Sequence, residues 1–102
     1  MGIVMSKNIS GSGGGGGATA GETITINVDA SVEPQIVIVP DATETSGLRI
    51  YRKTDASVNT VTLQPEIGGQ TINNEATWTL ESQGQYISID SENGHWWIMA
   101  NN

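Results

Sequence analysis

The chain has 102 residues, no cysteine, and a formal net charge of −7 from 4 Lys+Arg against 11 Asp+Glu. That length holds one domain and too few residues for two, and without cysteine there is neither a disulfide framework nor a thiolate nucleophile. The acidic field repels nucleic acid and anionic membrane, and no run reaches the roughly 18 apolar residues of a membrane span.

In chain order, residues 1–22 read as an arm. MGIVMSKNIS lacks a signal peptide's apolar core and cleavage site, which predicts no export by that route. GSGGGGGATAG (11–21) is a flexible linker by composition. Gly11, Gly13 and Gly16 satisfy G-x-G-x-x-G only trivially, because no strand precedes them and no lysine reaches toward a phosphate. Ile3, Val4 and Met5 are candidates for a small docking plug at the end of this arm.

From residue 23 to 102 the pattern is that of a compact β domain. Thr23–Asp29 alternates cleanly and places Ile24, Ile26 and Val28 inward. Pro34 leads into Gln35–Val39, a run apolar on both faces and therefore a central strand, or one covered by another subunit. Asp41–Gly47 is a polar loop, open to recognition roles. Leu48–Arg52 is the next strand, read with Leu48 and Ile50 inward. Val58–Leu63 follows with Val61 and Leu63 inward, and Pro65 ends it. Arg49, Arg52 and Lys53 form a local cluster of cations, either a basic contact patch or a solvated strand end.

The C-terminal third reads as successive hairpins. A two-residue turn at Gln83-Gly84 would set Leu80 opposite Ile87 and Trp78 opposite Ile89. A turn at Asn93-Gly94, the strongest short hairpin signal, would set Ile89 opposite Ile98. Both registers give one apolar set: Trp78, Leu80, Ile87, Ile89, Trp96 and Ile98. The opposite face then carries Thr77, Thr79, Glu81, Tyr86, Ser88, Asp90, Trp97 and Met99, of which the large apolar Trp97 and Met99 are candidates for an intersubunit or docking contact. The alternatives there are a second sheet covering them or a bulge that slips the register. Strands recurring every 8–12 residues with turn punctuation predict an all-β fold: a small antiparallel sandwich or barrel of about 7–8 short strands behind a Gly-rich arm. So small a core also favours oligomers.

Candidate chemistry is sparse. His95 follows a hairpin turn and has no Ser or Cys partner motif. Asp90–Gly94 lacks the twelfth-position Glu of a calcium loop, and no two carboxylates stand out as a glycosidase pair. The expectation is a non-enzyme with no catalytic residue, metal or cofactor.

The stretches VTLQP (61–65), GGQTIN (68–73), WTLESQGQYISI (78–89) and NGHWWIM (93–99) resemble the β domains of tailed-bacteriophage virion proteins. These include tail fibres, tail spikes and small capsid-decoration or head-fibre proteins. The resemblance covers roughly Val58 to Met99 and brings no catalytic residues. It implies a homotrimer bound to the major capsid protein lattice on the virion exterior. The short chain beginning with Met, and an arm before a knob, favour decoration over a long fibre. A receptor-binding tail-fibre module that recognises host glycan or protein is the alternative.

Overall fold

The computed structural model describes residues 2–4 and 23–102. Among the described residues there are eight strands: β1 Gly2–Val4, β2 Thr23–Val28, β3 Gln35–Val39, β4 Leu48–Lys53, β5 Val61–Pro65, β6 Trp78–Leu80, β7 Tyr86–Glu92 and β8 His95–Asn101. They form two four-stranded sheets, β1-β3-β5-β6 (sheet A) and β2-β4-β7-β8 (sheet B). The all-β two-sheet architecture matches the expectation, and β3 lies between β1 and β5 as a central strand.

The path between the sheets differs from a simple meander. From β1 to β5 the chain alternates sheets at every connection, so neighbours within each sheet run parallel: β1 with β3, β2 with β4, β3 with β5. Only β4–β7, β5–β6 and β7–β8 are antiparallel. The first part is thus a short winding of stacked coils, and the last three strands close it. The sequence repeats in step with that winding. Asp29-Ala30-Ser31-Val32 recurs as Asp55-Ala56-Ser57-Val58, and β3 pairs with β5 at the same 26-residue offset, Gln35 beside Val61.

The repeated corners are alike. Ser31 N–H donates to Asp29 Oδ1 at 2.8 Å, and Ser57 N–H donates to Asp55 Oδ2 at 3.1 Å. The second corner also grips the first. Ala30 N–H donates to Asp55 Oδ1 at 2.7 Å, while Ser57 Oγ and Asn59 Nδ2 donate to Ala30 O at 3.2 and 2.8 Å. Val32 and Val58, at equivalent corner positions, are both left in solvent.

Between the sheets lie Ile24, Ile26, Val28, Val37, Val39, Val61, Leu63, Leu80, Ile87, Ile89 and Trp96, with Trp78 and Ile98 packed against them. The inward residues expected on β2 and β5 are there. On β4 the inward set is shifted by one. Tyr51 and Lys53 are fully buried, whereas Leu48 and Ile50 are only half-buried. The cause is polar satisfaction. Lys53 Nζ donates to Asp55 O (3.0 Å), Ser57 O (3.0 Å) and Asp55 Oδ2 (2.6 Å), so a buried ammonium has all three protons bonded. Tyr51 OH accepts from Arg49 Nε at 3.1 Å.

The Gln83-Gly84 register is also corrected. β6 pairs with β5, not β7, and Trp78 faces Leu63 while Leu80 faces Val61. Gly84 has φ +81 and Gln83 does not share a positive φ, and Gln85 N–H returns to Ser82 O at 3.0 Å. A turn with φ > 0 only at its second central residue is type II, whose twist splays strands. The chain therefore crosses to the other sheet, and the six residues expected on one face come from two facing sheets. Asn93 (φ 56) and Gly94 (φ 78) do make the expected hairpin turn, with Ile89 opposite Ile98.

Burial pushes the Asp55 carboxyl up, but hydrogen bonds from Lys53, Ser57 and the Ala30 and Ser57 amides outweigh it and hold the group well below the usual range. A depressed folded pKa stabilises above the unfolded value and is lost as pH falls toward the folded one. Asp55→Ala is expected to cost about 3 kcal/mol in urea unfolding at neutral pH, because it strands the buried Lys53 charge. In the same variant the loss of stability on acidification below the ordinary carboxylate range should be shallower than in the parent.

Candidate functional site

Alternation along the strands of sheet B sends one set of side chains to the core and the other to an outer face. On β4 the outer residues are Leu48, Ile50 and Arg52. On β7 they are Tyr86, Ser88 and Asp90, and on β8 they begin with Trp97. The register binds these into rows: Arg52 beside Tyr86, Ile50 beside Ser88, and Asp90 beside Trp97. Arg52 lies 6.0 Å over the Tyr86 ring, a cation–π contact. Trp97 Nε1 donates to Glu92 O at 3.0 Å, and its ring meets His95 edge-on at 6.4 Å. The indole is therefore fixed on the sheet while half-exposed.

Met99 sits at a bulge. Ile89 and Ser88 are consecutive on β7, but their partners Ile98 and Ala100 are separated by Met99. The extra residue is unpaired and its side chain is 62% exposed. At the other end of β8, the outward backbone of Trp96 is already used: Trp96 N–H donates to Thr71 O at 2.9 Å and Asn73 N–H to Trp96 O at 2.8 Å. Strand β8 is thus blunted as an edge at both ends, and β6, one edge of sheet A, is only three residues long. Strand β2 is the other edge of sheet B.

The candidates named from the sequence divide accordingly. Arg52, Trp97 and Met99 come together on this face or its rim. Lys53 does not: it is buried and ion-paired to Asp55, so the cluster of three cations is not a surface patch. Arg49 points with Tyr51 to the inner side and is half-buried there. Ile3 and Val4 belong to β1, and Met5 lies outside the described residues. Tyr86 and Asp90 lie on the face with Trp97, where the hairpin reading sets them. Leu48 and Ile50 join it against expectation, because the inward set on β4 is shifted by one residue.

Other polar residues hold loops. His95 Nδ1 accepts from Thr71 N–H at 3.2 Å and lies 3.0 Å from Thr71 Oγ1, so this nitrogen ties the 67–75 loop to β8. Loop 41–47 is pinned at several points. Trp96 Nε1 donates to Pro40 O (3.0 Å), Ala42 N–H to Gln70 Oε1 (2.9 Å), Gln70 Nε2 to Asp41 Oδ1 (2.8 Å), and Ser91 Oγ to Thr45 O (2.6 Å). The Thr43 hydroxyl, Gln70 and the Thr43 amide hold the Asp41 carboxyl below its usual range. Among the described residues no group of three His, Cys, Asp or Glu side chains is placed to hold a metal ion. A cleft of about 250 Å³ lies between Gln64, Ile67, Gly69 and Thr77, and an open polar hollow of about 420 Å³ lies by Ser82, Gln85 and Asn102.

No family model, curated protein or solved structure matches the chain.

The two adjacent tryptophans should respond differently to removal. Trp96→Ala deletes a fully buried indole and its bond to Pro40, and is expected to cost about 3–5 kcal/mol by chemical denaturation. Trp97→Ala is expected to stay within about 1 kcal/mol of the parent.

Proposed function

We propose that this protein is a tailed-phage virion structural protein of the capsid-decoration type, bound to the outside of the head and stabilising the shell. The observation that carries the reading is the outer face of sheet B. It gathers Trp97, Tyr86, Arg52 and Met99 on a rigid sheet, the residue types most enriched at protein interfaces. Around it the chain is strongly acidic, as suits a soluble exterior. The chemistry the described residues display is that of contact, and the virion context comes from the resemblance of Val58–Met99. A decoration protein that binds only the expanded shell would stabilise it by mass action. The homotrimer that the resemblance implies would add avidity.

A tail-fibre module recognising host glycan is the second reading, favoured by one feature. The Trp97 ring is held by its own N–H to Glu92 O, which leaves a fixed aromatic face of the kind sugars stack on.

Antibody labelling of virions in negative-stain microscopy separates them. Label over the heads, with purified protein also binding tail-less capsids, is expected. Trp97→Ala should weaken that binding about tenfold or more. Label at the tail tip only, with glycan-dependent tryptophan fluorescence, would establish the second reading, and no label on any particle would remove both.

A further inference from the structure

The outer face of sheet B has its two charges in a particular arrangement. Arg52 is near the C-terminal end of β4, beside Tyr86. Asp90 is near the opposite end of the neighbouring strand β7, beside Trp97. Ile50 and Ser88 form the row between them. Arg52 and Asp90 thus stand diagonally across the face, too far apart along antiparallel strands to pair within one chain. Arg52 makes its contact with the Tyr86 ring, and Asp90 gives one oxygen to Ser91 N–H at 2.8 Å. Of the cations on strand β4, Lys53 is paired inside the core and Arg49 is bonded to Tyr51. Arg52 is the exposed one.

A positive group and a negative group placed diagonally about a centre are self-complementary. A twofold axis lying in the face, nearly perpendicular to the strands and through the Ile50–Ser88 row, carries each onto the other. We infer that this face pairs with the same face of a second copy, Arg52 of each chain meeting Asp90 of the other. The same operation sets Ile50 against Ile50 and brings Trp97 of one copy over Tyr86 of the other. That is an isologous contact in the strict sense, with each residue pair occurring twice. It stacks two twisted sheets face to face, the usual aligned packing of β-sandwiches. The bulge in β8 disfavours pairing through that edge of sheet B.

The contact is modest in size. Four strands about 4.8 Å apart span roughly 14 Å, which puts the pair at the low end of specific interfaces. A net charge of −7 on each copy opposes association at long range, so two reciprocal ion pairs at opposite corners of the face are what select this docking over others. The pairing uses the same face that the virion reading offers to a shell, so for each copy dimerisation and shell binding through Trp97 and Arg52 are alternatives. It is also distinct from a threefold assembly, whose head-to-tail contacts would not set this face against itself.

Sedimentation equilibrium of the full chain from about 1 µM to about 1 mM tests it directly. The parent is expected to show a concentration-dependent dimer. Arg52→Asp and Asp90→Arg should each weaken dimerisation about tenfold or more, and the double charge swap should restore it. Circular dichroism checks that each variant keeps its β structure. Because the chain has no cysteine, mixing Arg52→Cys with Asp90→Cys protein should give a disulfide-linked heterodimer in preference to either homodimer. A parent monomeric throughout, single swaps without effect, a double swap that does not rescue, or no preference in the cross-linking would each overturn the inference. A trimer indifferent to both swaps would do so as well, while leaving the virion reading intact.

Discussion

The fold depends on a lysine held inside it. Consecutive strands from β1 to β5 lie in opposite sheets, so no strand in this region is registered by a hairpin to its successor. Register must come from the corners, and the second corner does this with one carboxylate. Asp55 receives Lys53, the Ser57 amide and hydroxyl, and the Ala30 amide of the coil before it. Ser57 and Asn59 close the same link from the other side by donating to Ala30 O. A buried ion pair contributes little stability in itself, since desolvation offsets its attraction. Here its value is geometric: it fixes which residue of β4 turns inward, and hence which residues sheet B presents outward.

That inversion marks where the sequence could be read and where it could not. Period-two alternation identified β2 and β5 with the correct inward residues, because their polar positions are Thr, Asn and Gln, content at a surface. Strand β4 offers Leu48-Arg49-Ile50-Tyr51-Arg52-Lys53, where hydropathy favours Leu48 and Ile50 for the interior. The partners that make Tyr51 and Lys53 better choices are set by tertiary contact and by a motif two residues downstream. Likewise Gln83-Gly84 has the composition of a hairpin turn, but only one of its residues takes a positive φ, and the chain leaves the sheet. The Asn93-Gly94 turn succeeded because both of its residues favour the left-handed region. The parallel winding did leave a legible trace, the twice-written Asp-Ala-Ser-Val, whose meaning lies in its spacing rather than its composition.

The same reasoning accounts for the face of sheet B. Trp97 and Met99 could be assigned to the side opposite the core from a single hairpin, since the register there was local. Arg52 was legible as a cation on a strand. Tyr86 and Asp90 follow from that same hairpin, whereas Leu48 and Ile50 share the face because β4 and β7, more than thirty residues apart in sequence, are neighbours in space. Pairing across that separation is decided by the whole chain's packing. Lys53, one residue from Arg52, shows how sharply adjacent positions on a strand part company: one is in solvent over an aromatic ring, the other enclosed with its counter-ion.

The recurring corner gives this molecule a natural unit of length. A coil that docks on its predecessor through Ala, Asp, Ser and Asn, and offers its own Ala in turn, is indifferent to how many coils lie beneath it. Duplicating or deleting one such segment would make the sandwich taller or shorter without disturbing the closing strands or the exterior they carry. The height of the sandwich and the makeup of its outer face are in that sense separate properties of this chain, free to change independently.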